Sequence, residues 1–396
     1  MTKKFHICVV SQQFAEVLSG PGLYTRNLVD RLVARGHQVT LVAPSGAIKD
    51  CPHGVKAIDV GGEFLARRKA GWIILAFLFG RVLRKLDKEH LFDIVHFTDA
   101  KEALFAVGHC GPVIGNVNDP YIAGKSLNPL YYKKHYPIDW VKRWSYLNLV
   151  SILERYALRR LQLCICNSIF TRNVISESYH VPRKRLALCY KSICLESYAG
   201  VTSDDSEGLQ QTVLFVGGGN AQRKGLISFL KSADIVSECI TSVRYVIVGR
   251  DKVIPAILKK YCSDRVGKSL QHISHVPNED MKNLYLEAAV FVMPSLVEAF
   301  GVVYLEAMAC GTVVIGTTNG GTTELITDRK DGLLVHPGDT KKLAGLIVEV
   351  LRDDNLRSKI VAKGMDVVRN YSVENMIRET LEIYQDVCDH TLDNVV

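Results

Sequence analysis

Residues 290–317 read "VFVMPSLVEAFGVVYLEAMACGTVVIGT". "VFVMPS" and "TVVIGT" are short, β-branched and almost wholly apolar, the pattern of strands buried on both faces. Between them "EAFG" makes a turn and "VVYLEAMAC" carries the spacing of a helix. Strand, helix and strand in so short a stretch form a parallel crossover unit, which places the chain in the α/β class. Two charges interrupt the apolar run. Glu298 falls in the turn and Glu306 on the second turn of the helix. A carboxylate without a partner in such surroundings costs several kcal/mol or takes up a proton, so both glutamates need something to bind.

The same alternation extends outward in both directions. Upstream, "TVLFVGG", "VRYVIVG" and "HISHV" are strand-like, separated by helical patterns such as "GLISFLKSADIVSECI" and "DMKNLYLEAA". The first half repeats the scheme with "FHICVV", "QVTLVAP", "DIVHF", "PVIGNV" and "LCICNS", and with "GLYTRNLVDRLVARGH" as a helix ending near Gly36. Polar, aperiodic "ESYAGVTSDDSEGLQQ" separates the halves. The expected organisation is an N-terminal Rossmann-like domain over 1–195, a linker over 196–211, a second such domain over 212–371, and a C-terminal helix and tail over 372–396. The two doubly wound domains are expected to face each other across a cleft, with the last helix free to dock on either. In such folds ligands bind beyond the carboxyl ends of the strands.

Composition excludes several classes. The 396 residues are 47% hydrophobic and 23% charged, an ordinary globular balance. "MTKKFHICVV" passes almost directly into a buried strand, with no signal-peptide pattern. The longest uncharged apolar run, "GWIILAFLFG", falls short of the roughly 20 residues of a spanning helix. Eleven scattered cysteines, with no CxxC pair, read as reduced thiols of a cytoplasmic protein and give no metal spacing. Charge is divided unevenly. Residues 1–195 hold 28 Lys+Arg against 14 Asp+Glu, or +14, whereas 196–396 hold 21 against 27, or −6, which together recover the net +8. The basic half is the one expected to meet an anionic partner.

Two further loops suit phosphate. "SGPG" (19–22) precedes a helix, and its glycines Gly20 and Gly22 would admit a ligand to the free N–H groups there; an ordinary tight loop reads the same way. In "VGGGNAQRKG" (216–225), Gly218 and Gly219 follow a strand, and Arg223 and Lys224 are read as opening the next helix. Positive charge at a helix N-terminus opposes the macrodipole. A bound anion explains it, as would two solvated cations. Neither loop is a dinucleotide fingerprint or an ATPase P-loop. The oxygens of Glu306 suit a vicinal diol, unless it is solvated or ion-paired.

These residues carry a resemblance. From "HVPNEDMKNLYLEAAVFVMPS" through "EAFGVVYLEAMACG" to "NGGTTELITDRKDGLLVHPGD", the chain resembles the donor half of glycosyltransferase family 4, retaining enzymes of the GT-B fold that use nucleotide-sugars. "FVGGGNAQRKG" and "GPGLYTRNLVDRLVARGHQVTLV" support the match. The resemblance implies a role for Glu306 on the ribose hydroxyls and for Glu298 on the transferred sugar. It implies that Phe300, Gly301 and Val302 hold the sugar or diphosphate through backbone, and that Lys224 neutralises the diphosphate. It also implies that Gly20 and Gly22 approach that diphosphate. The chain departs from the family at Gly218, where an arginine is usual and Arg223 is the candidate substitute. It departs again in "GNVNDP" (115–120), where Asn118, followed by Asp119, stands for the usual acceptor-side histidine. His96, at the end of "DIVHF", is the alternative catalytic histidine, and a structural role suits it equally.

The activity implied is retaining transfer of a hexose from a UDP- or GDP-type sugar to an acceptor hydroxyl, with no protein nucleophile. No D-x-D sequence occurs, and no metal cofactor is expected. "FLARRKAGWIILAFLFGRVLRKL" (64–86) and "NPLYYKKHYPIDWVKRWSYLNL" (128–149) mix aromatic and basic residues. That suits an anionic membrane surface and a lipid-linked acceptor, with ordinary amphipathic packing as the other reading. The expected location is the inner face of a membrane, bound peripherally. No nucleic-acid module is present. An epimerase acting on a UDP-sugar and a non-catalytic sugar-nucleotide-binding subunit are the rival functions.

Overall fold

The computed structural model describes residues 3–14, 20–48, 51–66, 70–88, 92–106, 111–124, 137–198 and 211–392. Most of the expected linker, the Arg67–Lys69 cluster, Ser19 and the first part of the 128–149 stretch lie outside the described residues. The chain divides into two compact units, residues 1–191 with 374–396, and residues 192–373. The first boundary falls a few residues before the expected 195, and the C-terminal helix belongs to the N-terminal unit.

The N-terminal unit is built on seven parallel strands in the order β3-β2-β1-β4-β5-β6-β7. They are β1 His6–Val10, β2 Gln38–Ala43, β3 Val55–Asp59, β4 Ile94–Phe97, β5 Val113–Val117, β6 Leu163–Cys166 and β7 Leu186–Leu188. Its main helices are α1 Gly20–Ala34, α2 Gly71–Asp87, α3 Pro137–Leu158 and α4 Ile169–Tyr179. The central strands are buried along almost their whole length, as continuous apolar runs require when helices cover both faces. Leu75, Phe79 and Leu83 of α2 pack on Cys8, Val95, Phe97 and Cys164. Cys8, Cys164 and Cys166 are free buried thiols, and burial pushes Cys164 up to about 12.

The second unit has six parallel strands in the order β10-β9-β8-β11-β12-β13. They are β8 Thr212–Val216, β9 Arg244–Val248, β10 Leu270–Ile273, β11 Val290–Val292, β12 Val313–Thr317 and β13 Leu333–Val335. The longer helices are α5 Leu226–Cys239, α6 Ile254–Tyr261, α7 Asn278–Glu287, α8 Val302–Ala309, α9 Thr340–Arg352 and α10 Asp354–Val368. The opening stretch is thus β11, α8 and β12. The last helix, α11 Val373–Leu392, packs on the N-terminal unit through buried Ile377, Thr380, Tyr384 and Cys388. Among the described residues, no helix is long and apolar enough to cross a membrane.

Candidate active site

In the second unit, β8, β11 and β12 are neighbours, so the loops leaving their carboxyl ends meet at one edge. The glycine loop after β8 is anchored from β9. Arg250 N–H donates to the Gly218 carbonyl at 3.0 Å, and Asp251 accepts from Ala221 N–H at 3.0 Å. Gly218 is left-handed, with φ +54, and a Cβ on Gly218 or Gly219 would meet no atom within 4 Å, so this loop borders open space. The expected helix start needs correction. α5 begins only at Leu226, and Arg223 and Lys224 belong to the turn before it. Gly225 sets this boundary. Its φ is +85, and a Cβ there would lie 2.0 Å from the Pro294 carbonyl oxygen, so only glycine admits the β11 loop.

The Met293–Gly301 turn is held from both sides. Leu296 N–H donates to the Arg223 carbonyl at 2.8 Å. On the other side Thr317 Oγ1 donates to the Ser295 carbonyl at 2.8 Å, and Asn319 Nδ2 to the Leu296 carbonyl at 2.6 Å. Gly321 N–H reaches the Glu298 carbonyl at 2.8 Å. A Cβ on Gly320 would sit 2.1 Å from that same carbonyl oxygen, at φ +84. Rigid support of this kind is what a binding constellation needs.

Lys224 and Glu298 meet inside this frame. Lys224 Nζ lies 2.5 Å from Glu298 Oε2, with their side chains 17% and 8% exposed. Burial pushes the Glu298 carboxyl up, but the Lys224 and then the Arg223 charge outweigh it and hold it below its ordinary value. Glu298 is therefore a charged carboxylate. Its oxygens can only accept, so while this pair is closed Lys224 occupies one of them. Glu306 is handled differently. It is half-buried on α8, its Oε2 accepts from Tyr285 Oη at 3.0 Å, and burial raises it against that hydrogen bond. Its remaining lone pairs can still accept from a diol. Gly301, at φ +99, caps α8, and a Cβ there would lie 2.6 Å from Tyr304. Phe300 turns its ring inward, 5.7 Å edge-on to Tyr371, so its backbone is the part left for a ligand. Val302 is half-buried at the first helical position.

The N-terminal unit shows a different kind of edge. Gly20 and Gly22 form the first turn of α1, and Thr25 Oγ1 donates back to the Pro21 carbonyl at 2.9 Å. Thr98, after β4, donates through Oγ1 to Ser11 Oγ at 2.7 Å and receives Asn118 Nδ2 on its carbonyl at 2.8 Å. Asn167 Nδ2 donates to the Asn118 carbonyl at 2.7 Å. Asn118 Oδ1 is closed from solvent and has no donor among the described residues. Asp119 beside it is exposed.

His96 is a correction. It is 0% exposed, with Nε2 3.2 Å from Asn116 Oδ1 and Nδ1 2.6 Å from Tyr384 Oη. Burial holds it near pKa 4. Neutral, sealed and bonded at both nitrogens, it joins β4 to α11 and faces no substrate. Tyr285, Ser295 and Asp251 escaped the sequence reading. For Tyr285 the available signal was its place in "DMKNLYLEAA", the helical pattern directly ahead of "VFVMPS".

Comparison with known proteins agrees with this frame. Residues 18–197 match the family model described as Glycosyltransferase Family 4, and residues 204–366 match that described as Glycosyl transferases group 1. The chain belongs to the family 4 glycosyltransferases. Among this glycosyltransferase's relatives is the phosphatidyl-myo-inositol mannosyltransferase of Mycobacterium leprae, 32% identical over 183 residues. That match covers 45% of this chain and 47% of the relative, so the chain spans about half of that protein's length. Sucrose-phosphate synthase from Thermosynechococcus elongatus superposes with a TM-score of 0.77 at 19% identity, over 96% of this chain and 99% of that one. Anabaena HepE in complex with UDP-glucose gives 0.69 at 16%, over 96% and 99%. Both share the GT-B fold, two Rossmann-like domains.

Proposed function

We propose that this glycosyltransferase moves a hexose from a nucleotide-diphosphate sugar to a hydroxyl of a lipid-linked acceptor, with retention at the anomeric carbon and without a metal ion. The observation that carries the reading is the Lys224–Glu298 pair, held by three loops beside a glycine turn that borders open space. Lys224 would leave Glu298 for the diphosphate, with Arg223 adding to the positive field. Glu298 would then accept from the sugar, and Glu306 from the ribose. The bond between the anomeric carbon and the diphosphate breaks while the acceptor oxygen bonds to that carbon on the same face. The acceptor proton passes to the departing diphosphate. The chain's share is positioning and charge stabilisation. Asp119, exposed beside the inward-bonded Asn118, is the acceptor-side candidate.

The lipid-linked acceptor is supported by the surface of the N-terminal unit. α2 and α3 share a core through Trp72, Ala76, Leu104, Val150 and Ala157. Outside it, α2 exposes Ile74 and Phe77 with Arg81, Arg84 and Lys85, and α3 exposes Val141, Trp144, Leu149, Ile152 and Tyr156. Aromatic and aliphatic groups beside cations suit an anionic lipid interface. The Mycobacterium leprae relative's name also specifies a lipid acceptor.

The test is incubation with GDP-mannose or UDP-glucose and a phosphatidylinositol acceptor, with and without EDTA, and the product's anomeric configuration read by NMR. An α-linked glycolipid formed equally in EDTA is expected. An inverted product would overturn retention, and activity lost in EDTA and restored by Mn²⁺ would overturn metal independence. A sugar released only to water would overturn the lipid acceptor.

A further inference from the structure

The N-terminal unit has a second concave feature, at the edge of the sheet opposite Asn118. A cavity of about 730 Å³ opens between α11 and the starts of β1 and β2. Five-residue β1 separates it from the carboxyl-end loops by about 15 Å. Its volume is in the range of small-ligand sites, roughly 300–1,000 Å³.

The lining has two parts. The floor is aromatic: Phe5 and His37 stack at 5.8 Å and 14°, and Leu381 adds an apolar wall from α11. Lys3, Arg35 and Arg378 stand around it, opposed within the lining only by Glu382. Arg35 shares Glu374 with Arg31, at 2.5 and 3.3 Å, so one carboxylate serves two guanidiniums. Arg378 lies 3.7 Å from Glu382 with both side chains more than half exposed, a weak pair. Lys3 sits 5.4 Å over the Phe5 ring, with no carboxylate partner among the described residues. Lys4 adds another cation, bonded to the Arg35 carbonyl. Positive charge is thus in excess around an apolar floor.

The polar groups supply both kinds of hydrogen bond. His37 Nδ1 accepts from Phe5 N–H at 3.2 Å. Burial, and then Lys4 and Arg35, keep the imidazole neutral. Its proton is therefore on Nε2, the nitrogen that remains to donate. Gln385 Nε2 is committed to Asp389 at 2.7 and 2.8 Å, which leaves Gln385 Oε1 as an acceptor. A lipid chain would use neither group. A flat heterocycle with N–H and acceptor edges, joined to a phosphate, uses the floor, the edge groups and the cations together.

We propose that this cavity binds a small organic phosphate with a flat heterocyclic body, a nucleoside monophosphate being the class that fits. The ligand would bridge α11 to the strand starts and hold the C-terminal helix on its unit. The inference stands apart from the donor site, so either can fail alone.

The test is calorimetric titration of GMP into the full chain carrying Lys224→Ala and Glu306→Ala, which blinds the donor site. Saturable binding is expected to persist there. Adding Lys3→Glu and Arg378→Glu, both at exposed positions, is expected to weaken it about ten-fold or more, as loss of charge-assisted phosphate contacts does. Leu381→Trp, which fills the cavity without changing charge, should do the same. Guanosine and inorganic phosphate should each bind more weakly than GMP. The proposal is overturned by no saturable GMP binding in the blinded protein, by binding that survives both cavity changes, or by phosphate alone matching GMP.

Discussion

The two units use one architecture, yet their carboxyl-end edges differ. In the second unit the edge is a set of glycine-shaped loops around an ion pair that an anion can reopen. In the N-terminal unit the corresponding polar groups are largely spent on one another, from Ser11 through Thr98 and Asn118 to Asn167. Its outward chemistry has moved to apolar and basic helix faces. The comparison teaches that a Rossmann-like sheet fixes where a site can form, while the loops at its strand ends decide what chemistry that edge offers.

The sharpest way to break the comparison is through glycine. Gly320→Ala would force a Cβ against the Glu298 carbonyl at a left-handed position. It should cost about 2–4 kcal/mol and abolish donor binding, measured by thermal unfolding and calorimetry. Gly219→Ala, with no atom within 4 Å of its Cβ position, should leave the melting temperature almost unchanged. Equal effects at the two positions would remove the distinction between a braced turn and an open loop.

Next in size is the surface. Trp144→Glu with Ile152→Glu should reduce sedimentation with anionic liposomes at low salt by about ten-fold or more, since each charge placed in a lipid interface costs on the order of 1–2 kcal/mol. Nucleotide affinity should not change. Liposome binding that survives would assign these faces to another partner.

Glu306→Gln is a smaller probe. It keeps the shape but weakens acceptance from a diol, so nucleotide affinity should fall by about ten-fold, the scale of one hydrogen bond to a charged group. Stability should change little.

A pH-dependent effect concerns Glu154 of α3. It accepts from Tyr121 N–H at 3.0 Å and from Tyr179 Oη, and burial pushes it up to about 8 against those bonds. A raised folded-state pKa makes its contribution fully present below the unfolded value, near 4.5, and lost as pH rises through about 8. Melting temperature should therefore slope downward across that window, and Glu154→Gln should flatten the slope. An unchanged slope would mean the carboxyl is ionised in the folded protein.

Nine of the thirteen strands were legible in the sequence as apolar runs, and the edge strand β10, Leu270–Ile273, was read as "HISHV", displaced two residues along the chain. The three that were not are β3, β7 and β13, all sheet edges. β3 reads "VKAID" with three of five positions exposed, and the other two are three residues long. Edge strands carry less of the apolar signal because one side lacks a neighbour. The donor-side residues were legible because glycine loops and charges interrupt apolar runs there. Their pairing was not: Lys224 and Glu298 are 74 residues apart, and only the fold brings them together. His96 was ambiguous for the same reason, since its partner Tyr384 lies 288 residues away.

The central claim is that Lys224 exchanges Glu298 for a diphosphate. Calorimetric titration of GDP and UDP into the wild type and Lys224→Ala tests it most directly. The account predicts that the variant stays folded and binds its preferred nucleotide at least ten-fold more weakly, as loss of a charge-assisted contact requires. Equal affinity in a folded Lys224→Ala protein would contradict it.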